Sequence, residues 1–214
     1  MFKFFNKLIR SNKSENCPQI NTDEFSEKVK EVYSSVAANP YDKHSFPTGR
    51  KFAESIGYPK EILDKLPAIT VDCFAGVSNV SIYASIPQGA AVLDLGCGAG
   101  LDTLIAAQKT GSSGRVIGID FSEAMINKAN FGIKQCGYTN VSLQIEHADT
   151  LSLPDSSIDI ALVNGIFNLN PFREKIFIEL ARVIKKGGVV YASELILKEP
   201  NISSIVCSLD NWLN

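Results

Sequence analysis

The chain has 214 residues, 21 basic and 23 acidic, for a formal charge of −2, and 45% of it is hydrophobic. That length buries one substantial core, and the near-neutral balance excludes the broad basic footprint of a nucleic-acid-binding surface. Cysteines at 17, 73, 97, 136 and 207 include no CxxC pair and no zinc-ligand spacing, so they read as free thiols of a cytoplasmic compartment, with no metal site.

Residues 1–20 open with MFKFFNKLIRSNK, where Lys3, Lys7, Arg10 and Lys13 interrupt the apolar stretch a signal peptide needs. The segment reads as a flexible leader. No run approaches the roughly 20 apolar residues of a membrane span, so membrane contact is not expected. A helical cap is expected over 21–88. Its first helix, 21–38, has Asn21 as cap, Glu24 three residues on, and Phe25, Val29, Val32, Tyr33 and Val36 on one face. The stretch 39–49 is a loop punctuated by Pro40, Pro47 and Gly49. Shorter helices follow at 50–56, at 60–66 with Pro59 in the first position, and at 79–85, before a turn at 87–89.

From residue 89 to 214 the pattern becomes strand–helix alternation. Strands are expected at 90–95, 115–120, 141–146, 158–163 and 189–196. Helices fill 101–109, the stretch from the Ser122 cap to Gly137, and 172–185, where Ile176, Phe177, Leu180 and Ile184 share a side and Gly187 and Gly188 end the run. Apolar strands alternating with helices specify an α/β fold, a doubly wound and mostly parallel sheet covered on both faces.

The segment VLDLGCGAGLD, 92–102, places glycines at 96, 98 and 100 directly after the first strand. In such a sheet, ligands bind beyond the carboxyl ends of the strands, and bare backbone there lets them lie close. Leu101 occupies the position where a dinucleotide GxGxxG fingerprint needs glycine, and no lysine followed by Ser or Thr closes a P-loop. Asp94 sits poorly beside a pyrophosphate but can pair with an ammonium, directly or through water. Asp120, at the end of the second strand, can accept both hydroxyls of a ribose. Asp149, after the third strand, can accept from an adenine amino group. A ligand with a cationic amino-acid end and a ribose fits these three positions.

Together, DLGCGAG, GIDFS, ADTLSLPDSSIDIALVNGIFNL and ELARVIKKGG resemble the motifs of class I S-adenosylmethionine-dependent methyltransferases. The resemblance implies their Rossmann-like fold and S-adenosyl-L-methionine as cofactor. By it, Gly96, Gly98 and Gly100 line the methionine portion and Asp94 lies beneath it. Asp120 holds the ribose with Phe121 beside it, Asp149 and Thr150 flank the adenine, and Asn164 lies near the methionine end. Within that class the chain is most similar to the arsenite methyltransferase branch, over residues 25–200 and including VKEVYSSVA, where a tyrosine like Tyr33 closes over the cofactor. That branch holds trivalent arsenic on three cysteine thiolates. Here Val77 (AGVSN) and Gly165 (VNG) stand at two of those positions, Cys207 matches the third, and Cys73 lies near the first. Arsenite methylation is therefore the less favoured activity. The class commonly adds an antiparallel hairpin after the fifth strand, whereas this sequence ends at Asn214. A shortened C-terminal end is expected, with the sheet edge bare or covered by a partner, for instance a second copy of the chain.

Methyl transfer from a sulfonium needs alignment and exclusion of water, and a base only if the acceptor must lose a proton. Tyr33, His44 and Asn164 are the catalytic candidates, with Tyr41, Asn168 and Glu194 also expected to face a small-molecule acceptor. His147 and Cys97 read as structural, Asp102 as capping or orienting the first helix of the alternating region, and the acids of PDSSID as a turn and strand entry. The function implied is methyl transfer to a small molecule. The alternative is a non-catalytic S-adenosylmethionine-binding or assembly protein derived from a methyltransferase.

Overall fold

The computed structural model describes residues 21–196. The leader, Cys17 and Cys207 lie outside the described residues. The N-terminal part is helical: α1 Thr22–Ala38, α2 Gly49–Ser55, α3 Lys60–Leu63, α4 Ala68–Asp72 and α5 Val80–Tyr83. Then come β1 Ala91–Leu95, α6 Leu101–Thr110, β2 Arg115–Asp120, α7 Glu123–Cys136, β3 Val141–Ile145, β4 Ile158–Asn164, α8 Arg173–Val183 and β5 Ile184–Ser193. The five strands form one sheet in the order β3-β2-β1-β4-β5, with every neighbouring pair parallel. Strand order reverses between β1 and β4, so a crevice opens above the end of β1, where the glycines are.

The strand period of two sorts the core. Leu93 and Leu95 of β1, with Ala161 and Val163 of β4, face Ile176, Leu180 and Val183 of α8. Val92, Val116, Ile160 and Leu162 face the other way, onto Ala106 and Ala107 of α6 and Val80 of α5. Asp94 and Asn164 follow that second phase, which points two polar side chains toward the start of α6. The cap docks there through Tyr58, Leu63, Val71 and Phe74 against Leu101 and Ile105. Val36, Ala37 and Cys73 meet Ala99 and Met125. Among the described residues no helix is long and apolar enough to cross a membrane.

Local capping matches the sequence expectation. Asn21 accepts from the amides of Asp23 and Glu24, Ser122 accepts from that of Met125, and Gly137 ends α7 in the left-handed region at φ 69°. The cap differs in detail. Helix α3 stops at Leu63, with Pro59 as its N-cap rather than its first residue, and α4 is an element the sequence pattern does not announce. The end of the sheet differs more. Helix α8 yields to β5 at Ile184, so Gly187 and Gly188 lie inside a strand rather than ending a helix, and β5 stops at Ser193. The reason is a register jump: Ile184 pairs with Ile158, but Val189 pairs with Ile160. Gly187, at φ 86°, supplies the left-handed residue of that irregularity. Phe177, expected to share a side with Ile176 and Leu180, is 44% exposed where they are buried, and stacks on Phe167 with ring centres 4.6 Å apart.

A Cβ at Gly188 would lie 2.7 Å from the Asp159 carbonyl oxygen, a backbone atom that cannot turn aside. Gly188→Ala is expected to destabilise the fold by about 1–3 kcal/mol through overpacking. Urea denaturation followed by circular dichroism measures it, and an unchanged midpoint would refute the close approach.

Candidate functional site

The turn from Gly96 to Gly100 forms because its backbone runs through the left-handed region at Gly96 (φ 78°), Gly98 (φ 51°) and Gly100 (φ 87°). Only glycine enters that region routinely. A side chain at Gly96 would collide with Ile166, whereas one at Gly98 would point into open space. The turn is fastened to the end of β2, with the amides of Gly96 and Cys97 bonding the Ile119 carbonyl at 2.8 and 2.9 Å. Asp120 is 9% exposed; its Oδ2 accepts from the Gly98 amide at 2.8 Å and its Oδ1 from the Ser122 amide at 2.9 Å. Burial pushes its carboxyl above the usual range, while the backbone donors oppose that rise.

Above this turn lies an open cleft between the cap and the carboxyl ends of the strands, the usual place for a ligand in such a sheet. Its floor is Asp94, Gly96, Cys97, Gly98 and Asp120, and Phe121, Glu146 and His147 stand at one end. Asn164, Gly165, Ile166 and Asn170 stand at the other, and the cap contributes Val29, Tyr33, Cys73 and Phe74. Among the described residues lining it there is no lysine or arginine, but there are four acids: Asp94, Asp102, Asp120 and Glu146. Among the described residues no group of three or more metal-ligating side chains is placed to hold an ion.

The expected site residues divide. Tyr33, Asp94, Gly96, Gly98, Asp120, Phe121 and Asn164 come together around the cleft, and Gly100 shapes the turn. Asp149 and Thr150 are not on its wall, because β3 ends at Ile145 and the strand-end positions fall on Glu146, His147 and Ala148. His147, read from the sequence as structural, lines the cleft with its ring 5.8 Å from that of Phe121. His44 is turned away, with Nε2 bonding the Asn39 carbonyl at 2.9 Å. Tyr41 is 84% exposed and donates to Asp72 at 2.6 Å. Asn168 and Glu194 bond each other, amide to Oε2 at 3.1 Å, off the cleft wall.

Asn164 is a strut. Its Oδ1 accepts from the amides of Val77 at 2.9 Å and Ser78 at 3.1 Å, and its Nδ2 donates to the Ser78 carbonyl at 2.7 Å and to Asp102 Oδ2 at 2.9 Å. Two acceptor and two donor positions are thus used. The cap loop is pinned to the end of β4, and Gly76 is bare because a Cβ there would lie 2.6 Å from Asn164 Nδ2. Asp102, 6% exposed, also accepts from the Tyr58 hydroxyl at 2.6 Å and from Ser81. Tyr58 and Ser81 escape sequence reasoning, since nothing in their neighbourhoods marks them as partners of an acid far along the chain.

Asp94 is 2% exposed and accepts from the Thr103 hydroxyl at 2.5 Å. Burial first, then the neighbouring Asp102, push its carboxyl up to about 8. Burial, Asp120 and Glu194 hold the Tyr33 phenol well above its ordinary value, so it stays protonated at neutral pH. Burial likewise raises the thiols of Cys73 and Cys97, which keeps them un-ionised and weakly nucleophilic. Val77 and Gly165 are neighbours: a Cβ at Gly165, whose φ is 80°, would sit 3.0 Å from Val77 Cγ1. The acids of PDSSID serve structure, Asp155 pairing with Arg182 and Asp159 with Lys185, each at 2.8 Å.

Comparison with known proteins agrees with this geometry. A family model described as "Methyltransferase domain" matches residues 86–212. The chain is 32% identical over 148 residues to an arsenite methyltransferase of Halobacterium salinarum, covering 69% of this chain and 38% of that protein. It is 32% identical over 111 residues to a demethylmenaquinone methyltransferase of Bacillus velezensis, covering 51% of this chain and 47% of that one. Among solved structures, an arsenic(III) S-adenosylmethionine methyltransferase from Chlamydomonas reinhardtii is similar with a TM-score of 0.53 and 28% identity, over 69% of this chain and 49% of that one. The chain spans less than half the length of these relatives.

The buried Asp94 carboxyl has a consequence for stability. Its folded pKa is raised from 3.8 to about 8, so the fold keeps a proton that the unfolded chain loses. That contribution is complete below the unfolded value and disappears as pH rises through the folded one, so stability falls across this window. Asp94→Asn is expected to flatten the decline and, at pH 8, to raise the melting temperature by about 2–4 °C, equivalent to roughly 1 kcal/mol in a chain of this size. Differential scanning fluorimetry of both proteins from pH 5 to 8.5 measures it; parallel curves would contradict the burial argument.

Proposed function

This chain belongs to the methyltransferase-domain family, of the class I S-adenosylmethionine-dependent type, and we propose from that footing that it methylates a small, uncharged and largely apolar acceptor. The observation that carries the proposal is the charge of the cleft, which is lined by four acids and by no lysine or arginine among the described residues. A phosphate or carboxylate entering it would meet like charge in a region of reduced dielectric, with no cation to hold it. A positively charged cofactor meets the opposite situation.

When bound, S-adenosyl-L-methionine supplies a methyl group on a sulfonium, activated for in-line displacement. The chain's own residues fit such a ligand. The bare main chain at Gly98 leaves open space, Asp120 keeps lone pairs free for a ribose beyond those used by two amides, and Asp94 faces the cationic end. Phe121 and His147 are assigned to the adenine side in place of Asp149 and Thr150. Tyr33 and Val29 roof the cleft and keep water out. Asn164 acts on the cap, holding residues 76–78 over the reacting region.

None of the three catalytic candidates is set up as a general base, and the histidine on the cleft wall, His147, is assigned to the adenine end. Tyr33 is held protonated, His44 is outside the cleft, and Asn164 has no proton-accepting role to give. The acceptor's nucleophile therefore carries a free lone pair at neutral pH or ionises unaided. Arsenite is disfavoured as the acceptor. Where the arsenite-methylating relatives are expected to present two thiolates, this chain packs Val77 beside a Gly165 whose left-handed backbone resists any side chain.

Incubation with S-adenosyl-L-methionine and a panel of neutral thiols, weakly basic pyridines, phosphomonoesters and carboxylates, read by mass spectrometry of S-adenosylhomocysteine, tests the proposal. Product is expected only with uncharged members. Turnover of the anions would contradict the charge argument, and bound cofactor without turnover on any acceptor would favour a non-catalytic binding protein. Asp120→Ala is expected to weaken cofactor binding by about 1–3 kcal/mol through lost charged hydrogen bonds. Isothermal calorimetry measures that loss, and unchanged affinity would remove Asp120 from the ribose.

A further inference from the structure

Two carboxylates lie buried under the cleft, and their hydrogen bonding is unequal. Asp102 collects donors from the Tyr58 hydroxyl at 2.6 Å, from Asn164 Nδ2 at 2.9 Å and from the Ser81 hydroxyl. Asp94 is met by one residue alone, Thr103, through its hydroxyl at 2.5 Å and its backbone. Converging donors stabilise the ionised form of a carboxyl, and two interacting buried carboxyls do not both ionise without a cation nearby. The nearby basic group, Lys109, directs its ammonium to the carbonyls of Ser81, Ile82 and Ala84. The remaining titratable groups acting on Asp94 are Asp120, Tyr58 and Cys97. None brings a positive charge: Asp120 is an acid, and burial keeps the phenol and the thiol neutral. Burial raises both carboxyls, but three side-chain donors oppose that rise at Asp102, so of the two Asp102 is favoured to hold the negative charge and Asp94 the proton.

Resting on the methyltransferase reading, we propose that the cationic end of S-adenosyl-L-methionine takes the place of that proton, so that cofactor binding releases one proton from Asp94 to solvent. Positive charge enters as the ligand and leaves as the proton, and the Asp94–Asp102 pair becomes a doubly ionised anchor only while a cation lies above it. Cofactor capture is then linked to pH, strengthening as pH rises toward 8 and levelling off above it, in line with the rise of the Asp94 carboxyl to about 8.

Calorimetric titration of the full chain with S-adenosyl-L-methionine at pH 6.5, in phosphate and in imidazole, reads the proton directly, because the two buffers differ in ionisation enthalpy. At that pH an amino group of ordinary pKa, near 8, is already protonated in the free ligand. The observed heat is expected to differ between buffers by the amount corresponding to roughly one released proton, and Kd to tighten roughly tenfold from pH 6 to 7. Asp94→Asn is expected to lose the proton count. Binding in the unaltered chain with a buffer-independent heat would overturn the proposal and leave the methyltransferase reading standing. Failure to bind the cofactor at all would overturn both. The decisive slope comes from the unaltered chain, so it does not depend on the variant folding.

Discussion

A carboxylate taken out of water without a cation is among the least favourable groups a fold can carry, and it persists only where donors converge on it or a proton stays on it. Three such groups surround one turn here. Asp120 is met by backbone amides, Asp102 by the side chains of Tyr58, Ser81 and Asn164, and Asp94 by the side chain and backbone of Thr103 alone. The order of that compensation explains much of the local architecture. Asp120 braces the glycine turn against β2, Asp102 ties the cap to β4 and α6, and Asp94, the least compensated, is left facing the cleft.

The cap and the sheet are consequently a single mechanical unit around the site. Apolar packing of Tyr58, Leu63, Val71 and Phe74 against Leu101 and Ile105 holds the cap onto α6. The polar contacts of Asn164 then fix where its loop lies. An amide with its hydrogen-bonding positions used is poorly suited to direct chemistry but well suited to positioning. The same economy appears in the thiols and phenol of the cleft, which burial keeps neutral. What remains toward a ligand is negative charge and shape, a combination that favours a cationic cofactor.

Much of this was legible in the sequence because it is local. Asn21, Ser122 and Gly137 mark helix ends within a few residues of the groups they satisfy, and the apolar run of β1 ends directly in its glycines. Asp120 was recognisable by its place at the end of β2. The departures arise where distant partners override local pattern. The helical periodicity that continues past Val183 loses to the ladder that Ile184 joins with Ile158. Helix α4 follows Pro67 and lasts five residues, too short for periodicity to show. Beyond β3, which ends at Ile145, the residues on the cleft wall are Glu146, His147 and Ala148 rather than Asp149. Asp102 gathers Tyr58, Ser81 and Asn164 from 44, 21 and 62 residues away, distances over which a single sequence carries no pairing signal.

In the proposed reading, the turn at Gly96–Gly100 and the Asp120 carboxylate form an adenosyl site with its sulfur end directed beneath the cap. A crystal structure of the chain with S-adenosylhomocysteine tests it most directly. Both ribose hydroxyls are expected within hydrogen-bonding distance of Asp120, the adenine beside Phe121 and His147, and the sulfur between Asp94 and the cap loop held by Asn164. A ligand bound with its ribose away from Asp120, or its sulfur end pointing out past His147, would contradict it.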